Sequence, residues 1–221
     1  MTGSINIHRH DTVDPNTNPT GESLLSRTVV PYKIWTPDQK MLVLGNSQSP
    51  ETEFHFDAVH KSGIPVYKRT GGGGAVLLSP GCLCLGLRFQ KKKELSIQNY
   101  FSMGSTPVQL AVEKVLGIQL ESRGISDLVI GNRKVAGCSL YMPRNFVLYL
   151  VSILIDPDYE EIEKLLCHPS KEPDYRMKRS HRSFIVGLRN VMETLPETKL
   201  LMETIEEEIL ARRDELDWEL C

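Results

Sequence analysis

The sequence has no apolar run near the roughly 20 residues that a membrane-spanning helix needs, so no membrane span is expected. Its first residues, MTGSINIHRHDTVDPNTNPTGES, have no apolar centre of the kind a secretory signal carries. An excess of one charge is also missing. The 221 residues include 26 Lys and Arg against 28 Asp and Glu, a net charge of −2, whereas a general nucleic-acid binder usually shows a marked basic excess. Five cysteines, an odd number, in a chain with no secretion signal make reduced thiols the default. These absences point to a cytoplasmic protein that partners neither membrane nor nucleic acid. No internal repeat of roughly 20 to 50 residues is present either, which excludes a solenoid or propeller.

Material for a core is present. Hydrophobic residues make up 40% of the chain, and the length suits one domain, or one with a small extension. Residues 1–22 are polar and carry Pro, Asn and Thr, which predicts a flexible N-terminal arm ahead of a single domain over 23–221. Strands are predicted at VPYKIW, MLVLG, IPVYKR, AVLLS and CLCLGLRF, with a helix at FHFDAVHKSG stopped by Gly63. KKKELSIQNYF reads as a polar connection. TPVQLAVEKVLG reads as a helix capped by Thr106, with Pro107 at its first position and Gly117 at its end. Gly131–Asn132 marks a hairpin turn between DLVI and RKVAGCSLY, and FVLYLVSILID reads as a central strand. DYEEIEKLL, SFIVGLRNVMETL and TKLLMETIEEEILARRDELDWEL read as helices, and HPSKEPDYRMKRSH as a basic loop. Strands run through the middle and helices flank them, so the fold class is α+β, with a mixed, mostly antiparallel sheet.

Two segments carry the chemistry. In KRTGGGGAVLLSPGC, from Lys68 to Cys82, four glycines follow a basic pair. Glycine permits positive φ and close approach of a ligand to the backbone, and successive N–H groups can cradle an anion. A P-loop is excluded, because no Gly-Lys-Ser/Thr follows at the required spacing. A dinucleotide fingerprint is excluded, because a strand rather than a helix comes next. A β-bulge or hairpin tip reads equally well from this segment alone. The second segment is SDLVIGNRKVAGCS, Ser126–Ser139, where Lys134 precedes Ala136 and Gly137. A lysine beside small residues can meet a phosphate as a compact charge, although most lysines are simply solvated.

Taken together, GIPVYKRTGGGGAV and DLVIGNRKVAG resemble the two signature segments of lipoate–protein ligases. LVLGNSQSPETEFHFDAVHKSGIPV resembles that family's strand and helix upstream of the glycines, and SILIDPDYEEIEKLL with RMKRSHRSFIVGL resembles its later strand and arginine-containing stretch. The resemblance runs from about Trp35 to Leu188. It implies the catalytic-domain fold shared by biotin ligases, lipoate ligases and octanoyltransferases. It also implies two-step acyl transfer: ATP and lipoate give lipoyl-adenylate, and the lipoyl group then passes to a lysine of a lipoyl carrier protein, either a lipoyl domain or a protein like the glycine-cleavage H protein. By this resemblance Arg69, Gly72, Gly73, Gly74, Ala75 and Val76 line the adenylate loop. Lys134 is the catalytic lysine, touching acyl carbonyl and phosphate; Asp127 helps hold Mg²⁺ and nucleotide; Ala136 and Gly137 pack against the ligand.

The sequence departs from the family pattern at several points. Ser126 stands where the family has Asn; Leu77-Leu78-Ser79 replaces Phe-His-Asp; Tyr149-Leu150-Val151-Ser152 replaces His-His-Gly-Thr. Only some 30 residues follow Leu188, short of the accessory domain that most such ligases carry, so a separate accessory subunit is left open. Two alternatives stay open with it: an ATP-independent octanoyl or lipoyl transferase using Cys138 as nucleophile, and a non-catalytic lipoate-binding partner subunit. Cys82-x-Cys84 is a weak metal signal without nearby His. The basic stretch around His181 suits ATP phosphates, an acidic carrier surface, or plain solvation.

Overall fold

A computed structural model of the chain describes residues 5–9, 31–169 and 171–214. Among these, ten strands form two sheets. The larger is antiparallel throughout and contains β2 (Tyr32–Trp35), β6 (Cys82–Gln90), β7 (Glu121–Arg123), β8 (Asp127–Ile130), β9 (Arg133–Tyr141) and β10 (Phe146–Leu154), in the order β2-β6-β10-β9-β8-β7. The smaller contains β1 (Ile7–Arg9), β3 (Met41–Leu44), β4 (Val66–Lys68) and β5 (Val76–Leu78), in the order β1-β4-β3-β5; β4 runs parallel to both neighbours and β5 antiparallel to β3. The helices are α1 (Pro50–Glu53), α2 (Phe56–Ser62), α3 (Ile97–Leu116), α4 (Tyr159–Leu165), α5 (His181–Phe184) and α6 (Thr198–Ala211). The expected α+β class with a mixed, mostly antiparallel sheet is what forms.

β10 is central, as its apolar sequence predicts, and its alternation assigns its two faces. Val147, Tyr149, Val151 and Ile153 join Leu83, Leu85, Leu87 and Phe89 of β6 against Tyr100, Val108 and Val112 of α3 and Ile205 and Ile209 of α6. Each such side chain contributes about 1.5–3 kcal/mol on burial. Gly104 lets α3 lie directly on the sheet, because a Cβ there would sit 2.5 Å from the Tyr149 ring. On the other face, Cys84 meets Met41, Val43 and Leu78, which joins the two sheets at one end. β3 is buried on both faces, since Leu42 and Leu44 pack with Phe54, Val59, Leu165 and Phe184 on its far side. This explains its unbroken apolar run.

Three expectations change. α3 begins at Ile97, not near Thr106, and takes in much of the supposed polar connection. Ser96 caps it: its hydroxyl accepts from Asn99 N–H at 3.2 Å while its own N–H donates to Asn99 Oδ1 at 2.9 Å. Asn in place of the usual Glu or Gln hid this capping box. Pro107 therefore lies inside the helix, a cost of about 3 kcal/mol offset by burial of Tyr100, Phe101, Val108, Ala111 and Val112. Next, SFIVGLRNVMETL is not one helix. After α5, Val186 N–H donates to the Lys134 carbonyl at 2.8 Å and Gly187 N–H to Tyr159 Oη at 2.8 Å, so tertiary bonds take the amides that a helix would have used. Finally, Ile7–Arg9, within the expected arm, form strand β1 beside β4. Residues 10–30, the remainder of that arm and its junction, lie outside the described residues.

Candidate active site

A cavity of about 780 Å³ opens on the face of β10 turned away from α3. Its walls include Lys134, Asp127 and Gly137 of the β8–β9 hairpin together with Arg69, Gly73, Gly74, Ala75 and Val76 of the glycine segment. The structure thus brings together residues that lie some 60 positions apart. Gly72 and Ala136 do not line the cavity. Gly72 has open space around it, and Ala136 is fully buried in the core on the α3 side.

Lys134 is aimed by a bulge. Leu128 pairs with Ala136 but Val129 pairs with Lys134, so Val135 is an extra residue in β9. Such bulges re-aim side chains at sheet sites. Lys134 Nζ lies 2.6 Å from Asp127 Oδ1, and its chain crosses Gly137, where a Cβ would come within 2.9 Å of Nζ. The other Asp127 oxygen accepts the Tyr175 hydroxyl at 2.7 Å. Burial and the Asp127 charge push the Tyr175 hydroxyl pKa up, so it remains a donor at neutral pH.

Arg69 shapes the glycine loop. Its guanidinium donates to the Gly72 carbonyl at 3.1 and 2.8 Å, to the Gly74 carbonyl at 2.9 Å and to the Val43 carbonyl at 3.4 Å. Carbonyls gathered on this cation turn the loop to a fixed curvature. Gly73 has φ +96°, and its carbonyl would lie 1.9 Å from a Cβ on Gly45, so both positions need glycine. Buried Glu53 completes the loop by accepting Ala75 N–H at 3.0 Å. Sequence reading placed Gly45 at the close of the MLVLG strand and Glu53 in the family-like segment after it, but assigned neither to the site.

The basic stretch divides: Lys178 and Arg182 are exposed, whereas Arg176 and Arg179 are held by the fold. Arg176 is 4% exposed; its Nε donates to the Arg179 carbonyl at 3.0 Å and lies 3.4 Å from Glu172, and its guanidinium stacks 4.7 Å above the Phe184 ring. Arg179 donates to the Asn132 and Tyr175 carbonyls, which ties this loop to the hairpin carrying Lys134. Burial, reinforced by the Arg176 charge, lowers the His181 pKa to about 4, so the ring is neutral at pH 7. Met177 and Lys178 both take left-handed backbone, at φ +53° and +57°, where the loop turns.

The Cys138 thiol sits 3.1 Å from Tyr149 Oη and 4.0 Å from Ser105 Oγ, and burial pushes its pKa to about 11. A neutral thiol is a poor nucleophile. Cys82 and Cys84 are buried with raised pKa values, and among the described residues no three His, Cys, Asp or Glu cluster as metal ligands. Asp127 has both oxygens engaged, by Lys134 and by Tyr175, so any hold on Mg²⁺, which one or two carboxylates share with substrate phosphates, requires Lys134 to turn away first. No helix among the described residues is long and apolar enough to cross a membrane.

Residues 27–211 match the family described as the lipoyl protein ligase A/B catalytic domain. The chain is similar to lipoate–protein ligase 2 of Staphylococcus aureus, 28% identical over 191 residues that cover 80% of this chain and 55% of that one. It spans about half the length of the curated relatives it matches. Its fold is similar to that of a lipoate-protein ligase A solved with bound ATP, with TM-score 0.73 and 17% identity over 97% of this chain and 85% of that one. It is also similar to a chain from a study of a bi-partite lipoate protein ligase and its E2 lipoyl domain from Thermoplasma acidophilum, with TM-score 0.70 and 18% identity over 85% and 72% of the two chains.

Proposed function

The chain belongs to the lipoyl protein ligase A/B catalytic domain family, and from that premise we propose that it activates lipoate with ATP and passes the lipoyl group to a lysine of a lipoyl carrier protein in the cytoplasm. The observation that carries this reading is Lys134, held 2.6 Å from Asp127 and laid over Gly137, in one cavity with the glycine loop. At about 780 Å³ the cavity is of a size suited to an acyl-adenylate. ATP in one structural neighbour and an E2 lipoyl domain beside another support the choice of substrate and carrier.

In the first step the lipoate carboxylate attacks the α-phosphorus of ATP and pyrophosphate leaves. Lys134 would leave Asp127 to meet the acyl carbonyl and the phosphate, where negative charge builds. A fixed cation and backbone N–H groups lower such a barrier by electrostatics, and losing one donor costs roughly 10²–10³-fold in rate. Arg69 works through the loop, keeping carbonyls turned onto itself. Trp35, Val43, Val76 and Leu78 form an apolar end for the lipoyl chain, worth about 0.8 kcal/mol per buried CH₂. Mg²⁺ would arrive on the triphosphate and neutralise its charge. Neutral Cys138 disfavours a thioester route.

The test is mass spectrometry of a lipoyl carrier domain incubated with the protein, Mg²⁺-ATP and lipoate, beside Lys134→Ala. An ATP-dependent lipoyl mass shift that the substitution removes is expected. A shift that needs no ATP but takes its acyl group from an octanoylated donor protein would overturn the ligase reading.

A further inference from the structure

One row of paired residues crosses the floor of the cavity. Asp127 pairs with Gly137, Gly137 with Ser152, Ser152 with Cys84, and Cys84 with Trp35, and all five line the cavity. At roughly 4.7–4.9 Å per strand, Cys84 lies about 9–10 Å from Gly137 and Trp35 about 14 Å. An extended eight-carbon acid spans roughly 8–9 Å at the reach per bond of an extended chain. With its carboxyl at Lys134, which lies over Gly137, its last carbons therefore pass Ser152 and come to Cys84. Two leucines flank that point. Leu78 packs on Cys84 with Met41 and Val43. Leu150, two residues before Ser152 on the same face of β10, lies diagonally from Cys84 and lines the cavity half-buried. Both leucines stand where the family pattern has His. The polar groups nearby are otherwise engaged. Arg69 donates to the Val43, Gly72 and Gly74 carbonyls, and Trp35 Nε1 is buried, closed off from the cavity.

We infer that Leu78 and Leu150 determine acyl specificity and open the site to saturated medium-chain fatty acids, which it uses as readily as lipoate. This rests on the function proposed above and adds a second acyl class to it. The chemistry is unchanged: a carboxylate oxygen bonds the α-phosphorus and pyrophosphate leaves. An imidazole N–H at either position would donate to a ring sulfur of lipoate, and an alkyl tail would leave that donor unpaired. A site that hydrogen-bonds a substrate group rejects the analogue lacking it far more strongly than an apolar site separates near-isosteres. With leucine at both positions the tail end rewards buried apolar surface alone, and a saturated tail supplies that surface as a dithiolane ring does. Trp35 closes the row one strand beyond Cys84, which sets the limit on chain length.

The test is acid-dependent ATP–pyrophosphate exchange with Mg²⁺-ATP, comparing kcat/KM for octanoate, lipoate and hexadecanoate on the same preparation. The expected result is octanoate within about threefold of lipoate, or above it, and no exchange with hexadecanoate. Leu150→His should lower the octanoate-to-lipoate ratio roughly fivefold or more. A loss shared by both acids cancels in that ratio, and Leu150→Gln repeats the change without a ring should the histidine variant melt early. Lipoate favoured beyond that margin in the unsubstituted protein would overturn the inference and leave the ligase reading standing. So would hexadecanoate used as well as octanoate, or an unchanged ratio in variants that still activate both acids. Exchange with neither acid would overturn the ligase reading and this inference with it.

Discussion

Lys134 is held by main-chain pairing on both sides, whereas the glycine loop that shares its cavity has one main-chain bond, from Asn46 N–H to the Gly71 carbonyl, and is otherwise held by two side chains. On one flank of Lys134, Val129 pairs with it across the bulge; on the other, Val186 donates to its carbonyl. The loop instead hangs on the Arg69 guanidinium and the Glu53 carboxylate. A ladder bond fixes position whatever the side chains are, while a side-chain clamp can be loosened without unfolding a sheet. The hairpin is thus the rigid reference of the site, and the loop is the part that can adjust to a ligand.

The largest effect should come from the rigid wall. Lys134→Ala should lower lipoyl transfer by roughly 10²–10³-fold, measured as carrier mass shift per unit time. It should also cost roughly 1–3 kcal/mol of stability, because buried Asp127 keeps only the Tyr175 hydroxyl as partner. Lys134→Ala with Asp127→Asn should regain stability in thermal denaturation but not activity. If the double variant is no more stable than the single one, the ion pair is not what the wall depends on.

The adjustable wall gives a sharper contrast between two glycines. Gly45→Ala drives a Cβ against the Gly73 carbonyl, a backbone atom that cannot swing aside, and should cost about 1–3 kcal/mol and displace the loop. Gly72→Ala enters open space at an ordinary φ and should change stability by less than about 0.5 kcal/mol, with substrate KM values close to the parent. Paired thermal melts and KM values for ATP and lipoate test this. Equal effects at the two positions would mean that the loop has no fixed curvature.

The same contrast explains what the sequence made legible. Lys134, Gly137 and the hairpin turn at Gly131 are local features, set by neighbours within a few positions, and they could be read from one segment. Arg69 and the glycines were visible as a composition, but not that Arg69 turns inward onto the loop's own carbonyls. Ala136 fell on the wrong side, because the register shift at Val135 changes which residues face the cavity and a sequence pattern carries no mark of a bulge. Glu53, Tyr175 and the Lys134–Val186 bond depend on partners 22, 48 and 52 residues away, which only the fold supplies. The start of α3 was missed because its cap uses Asn99, and SFIVGLRNVMETL was misread because helical propensity there yields to bonds with β9 and Tyr159.

The loop that backs the rigid wall should respond to pH. His181 has its pKa lowered to about 4, chiefly by burial. The unfolded chain binds a proton near the ordinary value of about 6.5, so between pH 6.5 and 4 it binds more protons than the folded chain. Stability from this group is therefore complete above pH 6.5 and is lost as pH falls toward 4. Thermal melts across that range should fall, and His181→Gln should flatten the fall. A parallel decline in the variant would assign the acid sensitivity to other groups.

The smallest effect is expected at Cys138, whose backbone lies in the rigid wall while its thiol turns toward the α3 side. Its Sγ meets Tyr149 Oη and Ser105 Oγ, and a pKa near 11 leaves almost no thiolate at neutral pH. Cys138→Ser keeps a group that can pair with both hydroxyls, so ATP-dependent transfer should stay within about twofold of the parent, a barrier change of about 0.4 kcal/mol. The backbone bond from Cys138 N–H to the Ser126 carbonyl, 2.7 Å long, is unaffected by the substitution. A loss of a hundredfold or more, together with a trapped acyl-thioester on Cys138 in the parent protein, would make the thiol the nucleophile. The wall would then contribute a reacting atom, and Lys134 would act as its electrostatic partner rather than on an adenylate.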